Sequence, residues 1–119
     1  MTWKDYEIAQ RELCIRQGKQ WTPANKELKI GLADNVLSDK QPINGLRHRH
    51  ENGTTGWYIW SGQEFSDEEE FFKPYCVKHL ITLKPVIIKF LGLPPGHRFL
   101  IDNNGYQDIW EDTSLLDKT

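Results

Sequence analysis

Over the first eighteen positions the apolar residues Trp3, Tyr6, Ala9 and Leu13 recur three or four apart. That spacing stacks them on one side of a helix of 3.6 residues per turn. Thr2 and Asp5 stand in capping-box spacing, with Asp in place of the preferred Glu, and Gly18 is a natural stop. The pattern predicts a helix from about Trp3 to Gln17, followed by WTPAN as a connector. The period then shortens. Ile30, Leu32 and Val36 share one parity with Asp34 interrupting, which predicts a strand with a polar end. INGLRHRHE and GWYIWSG flank NGTTG, whose Asn-Gly pair signals a hairpin turn, and HRFLI, DNNG and YQDIW write a second hairpin near the end.

Between the hairpins the period is helical. Ser66 is placed to cap SDEEEFF, with Glu69 at the reciprocal position and acids through the first turn. Val77, Leu80, Ile81, Ile87, Ile88 and Leu91 continue as a rough stripe that Pro85 should divide near Leu83 and Gly92 should end. LPPG then turns the chain into the second hairpin. Helix, strand, hairpin, helices, hairpin is not a βαβ alternation. It predicts an α+β fold, one domain over residues 1–119. Its antiparallel sheet would have about five strands, two hairpins plus one, with helices packed mainly on one face.

GWYIW sharpens that picture. Trp57 and Ile59 must point to one face of a strand, Tyr58 and Trp60 to the other. One pair meets the helices. The other lies on an open face unless a loop or a partner covers it.

Charge and composition narrow the function. Charged residues make up 27% of the chain, yet the formal net charge is −2 and the isoelectric point near 6.1. LRHRH and WYIW are raw material for nucleic-acid stacking, but that balance offers no field for a phosphate backbone, and no recognition motif accompanies it. The apolar run around Val77–Leu93 is broken by His79, Lys84, Pro85 and Lys89, so it cannot span a bilayer. Cys14 and Cys76 show no pairing pattern and no signal peptide precedes them, so reduced thiols in a cytoplasmic protein are the expectation.

Several groups could carry chemistry. His48 and His50 share one side of a strand, and Cys76 and His79 lie one helical turn apart; converging, the four could hold zinc and activate water for hydrolysis. The plainer reading is two edge histidines, a buried thiol and a surface histidine. Cys76 as a nucleophile would need His79 or His97 beside it, and an apolar helix face favours an inert thiol. The run Asp67–Glu70 could attract a basic partner, but acids in a first helical turn are explained by the dipole. Asp108, Glu111 and Asp112 have no such explanation, and they surround Trp110. Acids around an aromatic suit a contact surface, although a strand tryptophan is more often core.

GLRHRHENGTTGWYIWSGQEF, FLGLPPGHRFLI and YQDIWEDTSLL together resemble the immunity-family-thirty-three-like group, small bacterial proteins of polymorphic-toxin loci. The resemblance runs from about Lys29 to Leu116. It implies a protein that binds and neutralises a toxin, and it brings no catalytic motif. His97 follows LPPG where a tryptophan would be expected, so any contact by that residue is not carried over. The reading is therefore a non-enzymatic binding module without cofactor, monomer or homodimer, whose partner is a cognate protein toxin rather than nucleic acid or membrane. Tyr58, Trp60 and Trp110 are the expected anchors. Asp108, Glu111 and Asp112 would complement the partner's charge, and Arg47 and Arg49 are secondary candidates. A small zinc protein built on His48, His50, Cys76 and His79 is the alternative, and a regulatory subunit with an unrelated partner is the third.

Overall fold

A computed structural model describes residues 1–51, 53–62 and 71–117 of the chain. Helix α1 spans Trp3–Gln17 as the periodicity predicts, closed at its start by the Thr2–Asp5 capping box and at its end by Gly18 at φ 67°. Its buried side is centred on Gln10, Leu13 and Cys14, with Trp3 and Tyr6 packed at the margin. The Gln10 amide does two jobs there. It donates to the carbonyl of Ile88 (2.9 Å) and accepts from the Trp21 indole (3.0 Å), pinning α1 to the connector and to the second half of the chain. The Cys14 thiol reaches the carbonyl of Gly92 at 3.4 Å, and its burial pushes its pKa up, as expected of an inert thiol.

Six strands follow: β1 (Lys29–Ala33), β2 (Ile43–Arg47), β3 (Thr54–Ser61), β4 (Phe72–Cys76), β5 (His97–Ile101) and β6 (Gln107–Glu111). They form one sheet in the order β4-β1-β3-β2-β5-β6. Both hairpins are present, β2 with β3 and β5 with β6. Two features correct the expected all-antiparallel sheet of about five strands. β1 lies parallel to β3, because β2 pairs on the far side of β3 and leaves the near side to β1. A sixth strand, β4, then pairs antiparallel with β1 at the sheet edge.

FKPYC does not read as a strand, since a central proline normally breaks a ladder. Register removes the conflict. Val77 N–H donates to the carbonyl of Leu28 (3.0 Å), which fixes the hydrogen-bonded pairs, and Pro74 opposite Gly31 falls between them. Its nitrogen faces the free edge, so no ladder bond is lost. The capped acidic run from Ser66 lies outside the described residues. Beyond β4 the helical stripe is real but short-turned: α2 (Leu80–Leu83) ends before Pro85, and Pro85–Phe90 forms a 3-10 segment. Val77, Leu80, Ile87, Ile88 and Leu91 are all buried.

The helical layer covers the sheet face carrying Trp57, Ile59, Ile43 and Phe99. Phe99 stacks on Phe90 at 4.7 Å and meets Trp57 at 5.6 Å, and a Cβ at Gly45 would overlap its ring. The Trp57 indole donates to the carbonyl of Leu91 at 3.1 Å, which allows the whole ring to be buried without an orphaned donor.

Arg47 shares that face and is 4% exposed. Its guanidinium donates to four carbonyls: Thr22 (2.6 Å), Leu93 (2.7 Å), Leu91 (3.4 Å) and Thr55 (3.0 Å). The Trp57 ring lies 5.6 Å away. Burial pushes the Arg47 pKa down to about 10, which still leaves it charged at neutral pH. Backbone dipoles from three separate stretches therefore solvate a cation in the interior. Replacing it by Met strands those carbonyls, each a buried acceptor costing about 1 kcal/mol or more. The Arg47→Met variant is expected to lose about 3 kcal/mol of stability in urea denaturation, a large share of what a small domain has.

Candidate functional site

The strand register lays a continuous row of residues across the second face of the sheet: Pro74, Gly31, Tyr58, Leu46, Arg98 and Trp110, one from each strand. Trp60 and Asp108 lie on the same face, each two residues from this row. The three expected anchors thus share one face, but it is not an open one. Trp60 is 4% exposed and Leu46 is buried with it. The Tyr58 ring is half-buried, edge-on to Phe72 (5.2 Å) and to His48 (5.7 Å), and lies over Gly31, where a Cβ would strike it. The turn Thr113–Leu116 closes against one end of this face: the carbonyl of Leu115 meets His48 Nδ1 (3.1 Å) and that of Leu116 accepts from Arg49 (3.2 Å).

These placements correct two of the expected contact residues. Trp60 belongs to the interior, and Arg47, on the other face, is the buried cation described above. Alternation was sufficient to sort the GWYIW side chains onto faces. It carried no information on what folds over the second face.

The exposed large aromatics of the described surface, Tyr106 and Trp110, stand beside acidic residues on the β5–β6 hairpin. β6 is an edge strand with Gln107, Asp108, Trp110 and Glu111 exposed. Trp110 is 36% exposed, against 1% for Trp57. Its cross-strand partner Arg98 lies 5.5 Å beneath the ring and donates to Asp112 at 3.2 Å, which holds the indole outward on a cationic support. The Ser114 hydroxyl, and after it Arg98, hold the Asp112 carboxyl below the ordinary carboxylate range, so it is ionised at neutral pH. Glu111 reaches Lys19 at 3.8 Å, while Asp108 has no ion pair among the described residues. At the hairpin tip Asp102 accepts from the backbone of Asn104 (2.8 Å) and Tyr106 (3.0 Å), fixing a turn that presents Tyr106 at 53% exposure.

Tyr106 and Arg98 are absent from the residues expected at the site. Tyr106 could have been found from its position directly after DNNG, where a hairpin tip must be exposed. Arg98 could have been found by pairing the hairpin outward from that turn, which sets it opposite Trp110.

The zinc arrangement does not assemble. His48 directly follows β2 and Cys76 ends β4, with β1 and β3 between the two strands, three inter-strand spacings or roughly 14 Å. His48 is engaged with Leu115, the Cys76 sulfur accepts from Lys29 Nζ at 3.1 Å, and His50 and His79 are exposed. No group of three or more His, Cys, Asp or Glu able to hold a metal stands together among the described residues. A cleft of 190 Å3 between β1, β3 and β4, walled by Tyr58, Phe72, Pro74 and Lys29, is below the size of an ordinary small-molecule site. No helix among the described residues is long and apolar enough to cross a membrane.

Searches of curated proteins and of solved structures find no match to this chain. A family model does match: the Imm33-like domain aligns with residues 9–112, from within α1 through all six strands to Asp112 at the end of the second hairpin. That span includes the buried arginine, both hairpins and the exposed acidic edge, and the chain belongs to the Imm33-like domain family.

Proposed function

We propose that this protein neutralises a cognate toxin by binding and covering it, with the β5–β6 hairpin as the contact surface. The observation that carries the reading is Trp110, a tryptophan 36% exposed on an acidic edge strand while Trp57 and Trp60 are enclosed. Membership in an immunity family supplies the partner class. A large ring held rigidly by Arg98 loses little conformational freedom on docking, and such a ring within a charged rim is where interface energy concentrates. Tyr106 at the tip and Trp110 on the strand act as anchors. Asp108, Glu111 and Asp112 complement a basic partner surface and raise the association rate. Arg49 and Tyr58 lie towards the margin. Binding on a preformed hairpin requires no backbone rearrangement and no bond chemistry, so inhibition is by occlusion.

The test is co-expression with a toxin encoded beside this protein's gene, scored by growth and by affinity in vitro. Trp110→Ala is expected to weaken capture by about 2 kcal/mol, roughly thirtyfold, while unfolding within about 1 kcal/mol of the parent. Trp60→Ala is expected to behave oppositely, losing about 3 kcal/mol of stability through a core cavity. Unchanged capture by the Trp110 variant would remove the hairpin from the interface.

A further inference from the structure

The two edges of the sheet are chemically different. On β4 the middle residue with outward-facing backbone is Pro74, which has no N–H to offer. On β6 the hairpin bonds can be placed from its two ends. Asp112 N–H donates to the carbonyl of Gly96 (2.6 Å) and Asp102 N–H to that of Tyr106 (3.2 Å). Alternation then assigns the inward bonds to Tyr106, Asp108, Trp110 and Asp112. Gln107, Ile109 and Glu111 are left with N–H and C=O directed away from β5, and these groups have no partner among the described residues. Three donors and three acceptors thus stand at strand spacing on an exposed edge without proline.

The side chains around that edge specify the occupant. Asp108 and Trp110 flank it on one face and Glu111 on the other. Asp108 has no ion pair among the described residues, and Glu111 has only the long contact to Lys19. Trp110 already accepts one guanidinium from beneath, that of Arg98, and its outer surface is exposed. A second copy of this chain would bring carboxylates up to carboxylates, which disfavours pairing of like edges. An extended segment bearing Lys or Arg on both of its faces fits both the backbone and the charges.

Resting on the toxin-binding reading above, we infer that β6 captures a basic, extended segment of the toxin as a seventh strand of the sheet. Main-chain bonds to Gln107, Ile109 and Glu111 hold it. Asp108, Glu111 and the outer surface of Trp110 select its cations.

The probe is the synthetic peptide acetyl-Val-Lys-Arg-Val-Lys-Arg-Val-amide, which carries cations on both faces, with the same peptide N-methylated at every residue as control, read by residue-resolved amide exchange. With the first peptide the amides of Gln107, Ile109 and Glu111 are expected to exchange about tenfold more slowly, and those of Asp108 and Trp110 to be unaffected. The methylated peptide is expected to do nothing. Glu111→Pro, which removes an outward donor without touching the β5 ladder, is expected to lose the effect, while Glu111→Gln weakens it only in part. Absence of protection overturns the inference. Equal protection by the methylated peptide does so too, as that is charge attraction alone, and so does protection that rises with protein concentration without peptide, as that is self-pairing. In the growth assay, full rescue by Glu111→Pro beside failed rescue by Trp110→Ala would refute the seventh strand and leave toxin binding standing. No rescue by the unaltered protein would refute both.

Discussion

A single buried cation sets terms for the rest of the molecule. The Arg47 guanidinium has left water, and among the described residues no carboxylate pairs with it; carbonyls of Thr22, Thr55, Leu91 and Leu93 take the place of the solvent. Those oxygens come from the connector after α1, from the start of β3 and from the turn before the second hairpin. A carbonyl dipole is useful to a charge only when it points at it, so each segment is held in orientation as well as in position. Trp57, bonded to the same Leu91 carbonyl, extends the constraint to the aromatic core. The first hairpin thereby determines where the helical layer can rest.

With one face of the sheet committed to that layer, the proposed contact surface lies at the edge of the sheet. Tyr58, Trp60 and Phe72 fill the second face around its middle strands, and Gly31 gives the Tyr58 ring room to lie flat. Of the sheet's two rims, the one uninterrupted by proline is β6. There Arg98 supports Trp110 from below and is itself fixed by Asp112. The rim is rigid because the hairpin is closed at its tip by Asp102 and at its base by the Asp112–Gly96 bond. Rigidity in the free state is what a surface needs if it is to bind without a large entropic cost.

Much of this was legible in the residues themselves. Helix α1, both hairpin turns, the division at Pro85 and the sorting of GWYIW onto two faces all follow from local rules: periodicity, capping, turn chemistry and alternation. What escaped were facts about neighbours. FKPYC becomes a strand only because Gly31 and its flanks offer an edge, and only because register turns the Pro74 nitrogen outward. The parallel pairing of β1 with β3 depends on which side of β3 is vacant. Arg47 reads as a surface cation by type, and the carbonyls that bury it lie 25, 44, 46 and 8 residues away. The candidate site divided along the same line. Trp110, Asp108 and Glu111 are where a short edge strand had to leave them, whereas Trp60 and Arg47 were claimed by packing that no window of sequence displays.

The outward nitrogen of Pro74 has a further consequence for how copies of this protein behave when concentrated. A fibre built by stacking sheets rim to rim requires two competent rims on every subunit, so that each addition exposes a fresh one. Here one rim is proline-interrupted, and growth from the other would terminate as soon as it was covered. Accidental association along this route stops at a pair, leaving an aromatic, strand-rich chain with a built-in end to polymerisation.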